Sequence, residues 1–134
     1  MRTPMRKRIS PREERGQAVA ELALVLPVLC LLLFGIIQFG IVFRDYITLT
    51  DAVRAGARKG AVSRLSGDEC GAAIAQVKQT AQDLNQSALI PACTSGNTHG
   101  SDIRVTASYP YSIDIIGLVV ASGRMNSTTT ERLE

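Results

Sequence analysis

The chain has no tryptophan, one histidine and an aromatic content of only 4%. So few large side chains fill only a modest core, and a small domain of this kind needs a staple or a packing partner. At 134 residues and 14.4 kDa the length points to one domain and excludes a large multi-domain enzyme. The single histidine, His99, stands in a Gly/Ser/Asn-rich stretch without a paired histidine or a cysteine ligand set, which argues against zinc. A GxSxG elbow, a Walker A loop, a dinucleotide-binding glycine fingerprint and HExxH are all missing. Asp68-Glu69 reads as charge at a helix start rather than as a catalytic pair. No catalytic residue, cofactor or metal is therefore expected, and the chain reads as a non-enzyme.

Charge is also missing from one long stretch. Between Leu22 and Phe43, a run of 22 residues, there is no Asp, Glu, Lys or Arg. This run explains a mean hydropathy of +0.12 in a chain with 20% charged residues. As a helix it is about 33 Å long, enough to cross a hydrocarbon core of about 30 Å. It exceeds the apolar core of a cleavable secretory signal, and Phe39–Tyr46 offers no small-x-small cleavage site. The segment is expected to stay as an anchor. Pro27, early in the run, is expected to bend the helix or free a backbone carbonyl. Gly35 and Gly40 leave flat places for another helix.

The net charge of +3 is unevenly spread. Met1–Gly16 holds six basic residues against Glu13 and Glu14, a balance of +4, whereas the remaining nine basic and ten acidic residues leave −1. A basic tail can bind nucleic acid, but no aromatic residue is interleaved here to stack on bases. Beside a long apolar run it reads as a cytoplasmic membrane flank, with no nucleic-acid partner. Arg44, Arg54, Arg58 and Lys59 follow the run and blunt the contrast in charge across it. Cys30 lies within the run and reads as a small buried hydrophobe. Cys70 and Cys93 fall in the polar portion, too far apart for CxxC chemistry. They read as a disulfide closing a loop of about 24 residues if that portion is exported, and as two free thiols if it stays in a reducing compartment. The disulfide reading places the C-terminal portion outside the cytoplasm.

The N-terminal region has a definite order: basic leader, Gly16, the neutral Gln17-Ala18-Val19-Ala20, Glu21, then an apolar helix with Pro27. A cut after Gly16 would make Gln17 the first residue and Glu21 the fifth. This order resembles the class III signal of type IV pilin-like proteins, in which a prepilin peptidase cuts after a glycine on the cytoplasmic side and leaves the helix attached. A lone carboxylate at the end of an apolar helix is expensive to bury. The new ammonium of a neighbouring subunit would neutralise it and set the helix register.

The resemblance becomes closer through Arg15-Gly16-Gln17-Ala18-Val19-Ala20-Glu21-Leu22-Ala23-Leu24-Val25-Leu26-Pro27, Phe34-Gly35-Ile36-Ile37-Gln38-Phe39-Gly40 and Asp51-Ala52-Val53-Arg54-Ala55-Gly56-Ala57-Arg58. Across about residues 15–61 the sequence is similar to the TadE-like family of pseudopilins, associated with tight-adherence (Flp-type) pilus machinery. The resemblance implies processing at Gly16 and Gln17, subunit assembly through Glu21 and Pro27, and a place in the cytoplasmic (inner) membrane with the C-terminal domain outside. It implies as partners the membrane, a prepilin peptidase, other pilin-like subunits and the pilus assembly machinery. Flp-type major pilins carry Glu-Tyr where this chain has Glu21-Leu22 and are much shorter, which favours a minor component.

The remaining pattern predicts an α+β chain of three segments: a leader over 1–16, a transmembrane and extended helix over 17–62, and an exported α+β domain over 63–134. Beyond the run, Phe43, Tyr46, Ile47, Thr50, Val53, Ala57 and Ala61 keep helical spacing. Ala52, Gly56 and Gly60 form a small-residue strip whose partner is either the domain's own sheet or another subunit. A second helix is expected from Asp68, capped by Ser66 or Asp68, with Ala73, Ile74, Val77, Ala81 and Leu84 inward and an end near Asn85–Ser87. Pro91–Ser101 reads as a surface loop. Ile103, Val105, Ala107 and Tyr109 alternate as a half-buried strand, which Pro110 ends or marks as an edge. Ile113–Val120 reads as a turn with another strand or as a brief helix, and Asn126–Glu134 as a last strand. The function expected is a minor pilin-like structural component of a tight-adherence pilus. The alternative is an unprocessed single-pass anchor carrying a binding domain that faces the cell envelope.

Overall fold

The computed structural model describes residues 11–63, 65, 67–96, 98 and 100–133, so Ser66 and His99 lie outside the described residues. Five elements follow in order: helix α1 (Pro11–Val62), helix α2 (Glu69–Thr80), and strands β1 (Ile90–Ser95), β2 (Asp102–Ile115) and β3 (Leu118–Arg132). This is the expected α+β arrangement of a long N-terminal apolar helix, a second helix and an antiparallel sheet. The chain divides into two units, Met1–Ile37 and Gln38–Glu134, and α1 contributes to both.

In the first unit α1 is rich in Leu, Val and Ala, and it continues through Pro27. Proline has no N–H to donate, so the carbonyl of Ala23 loses its helical partner there. Every residue from Gly16 to Phe34 is exposed, Leu24 by 75%.

In the second unit the same helix acquires one buried stripe. Leu49, Ala52, Val53, Gly56, Ala57, Gly60 and Ala61 are buried, at the i, i+3, i+4, i+7 spacing of one helix face. The expected stripe is right at Val53, Ala57 and Ala61, but Phe43, Tyr46 and Ile47 are exposed. The inward face instead runs through the small-residue strip, and the partner of that strip is the chain's own α2 and β2. A Cβ added at Gly56 would lie 2.9 Å from the Ala73 carbonyl oxygen, and one at Gly60 would lie 3.0 Å from Ala73 Cβ and press on the Ile103 side chain. Only glycine permits this approach of helix to helix and sheet.

Helix α2 begins where Asp68 caps it, its carboxylate accepting a hydrogen bond from the Gly71 N–H at 2.8 Å. It stops at Thr80, earlier than expected, and the chain turns through Ala81–Ala88. Gln86 closes this end by donating its side-chain N–H to the carbonyls of Ala81 (2.6 Å) and Leu84 (3.2 Å). Ala73, Val77, Ala81 and Leu84 are buried as expected, and Ile74 is only half-buried.

The sheet order is β1-β2-β3, antiparallel throughout. Strand β1 lies where a loop was expected. Its residues are small and include Pro91, so periodicity is faint, yet an edge strand tolerates proline. Pro110 likewise does not end β2. β1 pairs with β2 only as far as Ser108, so at Pro110 the middle strand has become an edge. Ile103, Val105 and Ala107 from β2, with Met125 and Ser127 from β3, are buried. The opposite face is polar, with Thr106 Oγ1 and Thr128 Oγ1 3.2 Å apart and Arg124 Nε donating to Ser108 Oγ at 2.8 Å.

Strands β2 and β3 meet in a two-residue turn, Ile116-Gly117, with both φ angles positive at 52° and 80°. Both central residues of a type I′ hairpin turn need such angles. Gly117 adopts one freely. Ile116, a β-branched residue, is strained there by about 1–2 kcal/mol. A register shift at Ile113/Asp114 leaves Val120 as the extra residue of a bulge beside the turn.

Candidate functional site

Three places in the chain carry features beyond packing. The first is the start of the apolar helix. Gly16 and Gln17 lie within α1, one turn before Glu21. Gln17 Nε2 donates to Glu21 Oε1 at 3.1 Å, the i,i+4 contact of a helix surface. Both side chains are exposed, and Pro27 is exposed further along the same helix. A Cβ at Gly16 or Gly35 would meet nothing within 4 Å, so these flat places face no other part of the chain. The helix is long and apolar enough to cross a membrane, and none of its most apolar window is buried. A carboxylate at the end of such a surface can be matched by a cation from outside the chain, and the surface itself can be covered by lipid or by other helices.

The second place is the staple. Cys70, in the first turn of α2, is disulfide-bonded to Cys93 in the middle of β1, with Cα atoms 5.5 Å apart. It ties the edge strand to the helix layer. Cys30 is a free thiol and is exposed on the apolar helix rather than buried in a core of this chain.

The third place is a feature that the sequence reading left undecided. Ile116, Leu118, Val119 and Val120 at the hairpin tip are 63–76% exposed. Next to the tip, Tyr111, Ile113, Ala121 and Met125 from the hairpin line an apolar groove together with Phe39, Val42, Phe43 and Tyr46 from α1. The signal in the sequence was Ile115-Ile116-Gly117-Leu118, where the glycine marks a turn and the flanking residues are all large and apolar. A further, basic groove is lined by Arg54, Arg58 and Lys59 of α1 with Gln76 and Glu131. Among the described residues no three His, Cys, Asp or Glu side chains cluster to hold a metal ion.

The candidate residues thus fall into two groups. Gly16, Gln17, Glu21 and Pro27 lie in the first unit, and Cys70 and Cys93 in the second. Residues 16–58 match the family model of TadE-like proteins. The match covers nearly all of the segment that carried the resemblance and bears it out. Among the described residues one helix, near the N-terminus, is apolar and long enough to fit a single-pass membrane protein. No curated protein sequence and no solved structure matches the chain.

Proposed function

We infer that the chain is a minor pilin-like component in the assembly of a tight-adherence pilus, processed by a prepilin peptidase between Gly16 and Gln17. The observation that carries this reading is the TadE-like match, which begins at Gly16, five residues before the carboxylate that heads an uncovered apolar helix. Its mechanism is packing rather than catalysis. The apolar helix waits in the cytoplasmic membrane with the basic leader inside. The disulfide supports a C-terminal portion on the oxidising side. The scissile bond lies in helical backbone, where Gly16 lowers the cost of local opening by about 1 kcal/mol relative to alanine.

Before the cut, the Gln17 amide occupies Glu21. After it, Gln17 carries an ammonium group, and the incoming ammonium of a neighbouring subunit replaces a neutral partner with a charged one. Burying Glu21 then becomes favourable only in correct register, which aligns the helices. Gly35 and Gly40 admit the neighbouring helix. The C-terminal unit meets other pilus proteins. The three segments 1–16, 17–62 and 63–134 correspond on this reading to leader, assembly helix and exported domain.

The test is the intact mass of the membrane-extracted protein, with and without the peptidase. A peptidase-dependent loss of Met1–Gly16 is expected. A chain that keeps its leader beside an active peptidase would sink the reading in favour of an unprocessed anchor with a binding domain. Glu21→Gln should then insert normally and fail to assemble, and normal assembly of that variant would rule out the pairing.

A further inference from the structure

We propose that the tip of the β2–β3 hairpin is a second membrane contact, dipping into the outer lipid interface. The path of the hairpin along α1 is the first observation. The Ile103 side chain meets α1 at Gly60, whereas Tyr111, Ile113 and Ala121 line a groove with Phe39, Val42 and Phe43. Strand β2 therefore runs back along α1 toward lower residue numbers, and the bulge and turn continue past this groove. Phe39, Val42 and Phe43 belong to the uncharged run, which ends at Arg44. If that run spans the bilayer, the groove lies at its outer boundary and the tip reaches at least the headgroups.

The chemistry of the tip is the second observation. From Ile115 to Val120 no side chain is polar, and between Arg104 and Arg124 the only charge is Asp114. Asp114 accepts a hydrogen bond from Ser112 Oγ at 3.3 Å, and it marks the level at which the hairpin leaves water. Tyr46 and Tyr111 line the same groove, the residue type enriched where membrane meets water. The third observation is the turn itself. Ile116 holds φ 52° while 76% exposed, a position where Asn or Gly would be unstrained and soluble. Strain kept at an exposed apolar residue points to a surface that this residue must meet. The occupant is lipid rather than a second copy, because the tip adjoins Ile113 and Ala121, which line the groove with Phe39, Val42 and Phe43 of the uncharged run that the reading above places in the bilayer. The proposal rests on the membrane-spanning part of the reading above and not on processing.

The chain has no tryptophan, so one introduced tryptophan reports one place. Full-length Leu118→Trp is reconstituted in phosphatidylethanolamine/phosphatidylglycerol vesicles containing nitroxide-labelled lipids. Leu32→Trp marks the middle of the run, and Thr130→Trp marks the far end of β3. Strong quenching of Leu118→Trp, at a depth within about 10 Å of the headgroup–acyl boundary, is expected. Thr130→Trp should stay unquenched. Val120→Trp repeats the measurement should Leu118→Trp lose its tyrosine near-ultraviolet signal. Quenching of Leu32→Trp without quenching at the tip overturns the proposal and leaves the anchor standing. Blue-shifted but unquenched tip emission also overturns it, in favour of a protein cover such as a second copy. An unquenched Leu32→Trp overturns the membrane-spanning reading itself and the proposal with it.

Discussion

Helix α1 passes through two environments, and its side chains change size with them. Before Ile37 it carries Leu, Val and Phe on every side, all exposed to whatever surrounds the chain. Past Thr48 it carries a stripe of Ala and Gly that is buried by α2 and β2. Large apolar residues all round suit a partner without fixed shape, such as lipid, or one that arrives later. Small residues on one stripe suit a fixed protein surface that comes close to the helix backbone. Here the small-xxx-small pattern is consumed within the chain, so Ala52, Gly56 and Gly60 are not free to dimerise. The flat places still open to another helix are Gly35 and Gly40, where an added Cβ meets nothing within 4 Å.

This contrast can be broken by substitution in the detergent-solubilised full chain. All three tyrosines lie in the second unit, so their near-ultraviolet signal during unfolding reports that unit. Leu49→Ala empties a fully buried site and should cost about 2–5 kcal/mol. Leu24→Ala, at a 75% exposed site, should leave the same transition within about 0.5 kcal/mol. Equal effects would show that Leu24 contributes to the stability of the second unit as much as its buried Leu49 does. Cys93→Ser frees β1 from α2 and should cost about 3 kcal/mol, with the edge strand exchanging its amide hydrogens first. Asp68→Ala removes the cap of α2 and should cost about 1 kcal/mol, and no change would mean that the cap is dispensable.

The two units also differ in how far their sequence announced them. The first was legible because one feature, an unbroken apolar run, decides both its helix and its surface. The second helix was legible at its start, where Asp68 caps it. Its end was not, because Ala81 and Leu84 keep the helical period while the backbone is closed by Gln86. β1 was missed because a disulfide and a ladder to β2 hold it in place, and neither leaves an alternating pattern. Pro110 was legible in part. It does not end β2, but it stands where β2 has lost β1 as a neighbour and become an edge, the second of its two readings. The proposed processing residues, Gly16 and Gln17, rest on an order of residue types that is read without any fold.

A last effect, small like that of the cap, carries the opposite sign. Ile116 occupies the first central position of a type I′ turn with Gly117 after it. Ile116→Asn would create the Asn-Gly pair that such turns favour and relieve the strain of a β-branched residue in the left-handed region. The second unit should therefore unfold about 1 kcal/mol later in detergent than the wild type. In vesicles the same substitution removes an apolar side chain from the tip, and quenching of a tryptophan at position 118 by nitroxide lipids should weaken. A chain selected only for the stability of its second unit would place asparagine at 116. Isoleucine there makes sense when the turn must also meet a lipid interface. Stabilisation together with undiminished quenching would separate the strain from the membrane contact and leave Ile116 to be explained by the hairpin alone.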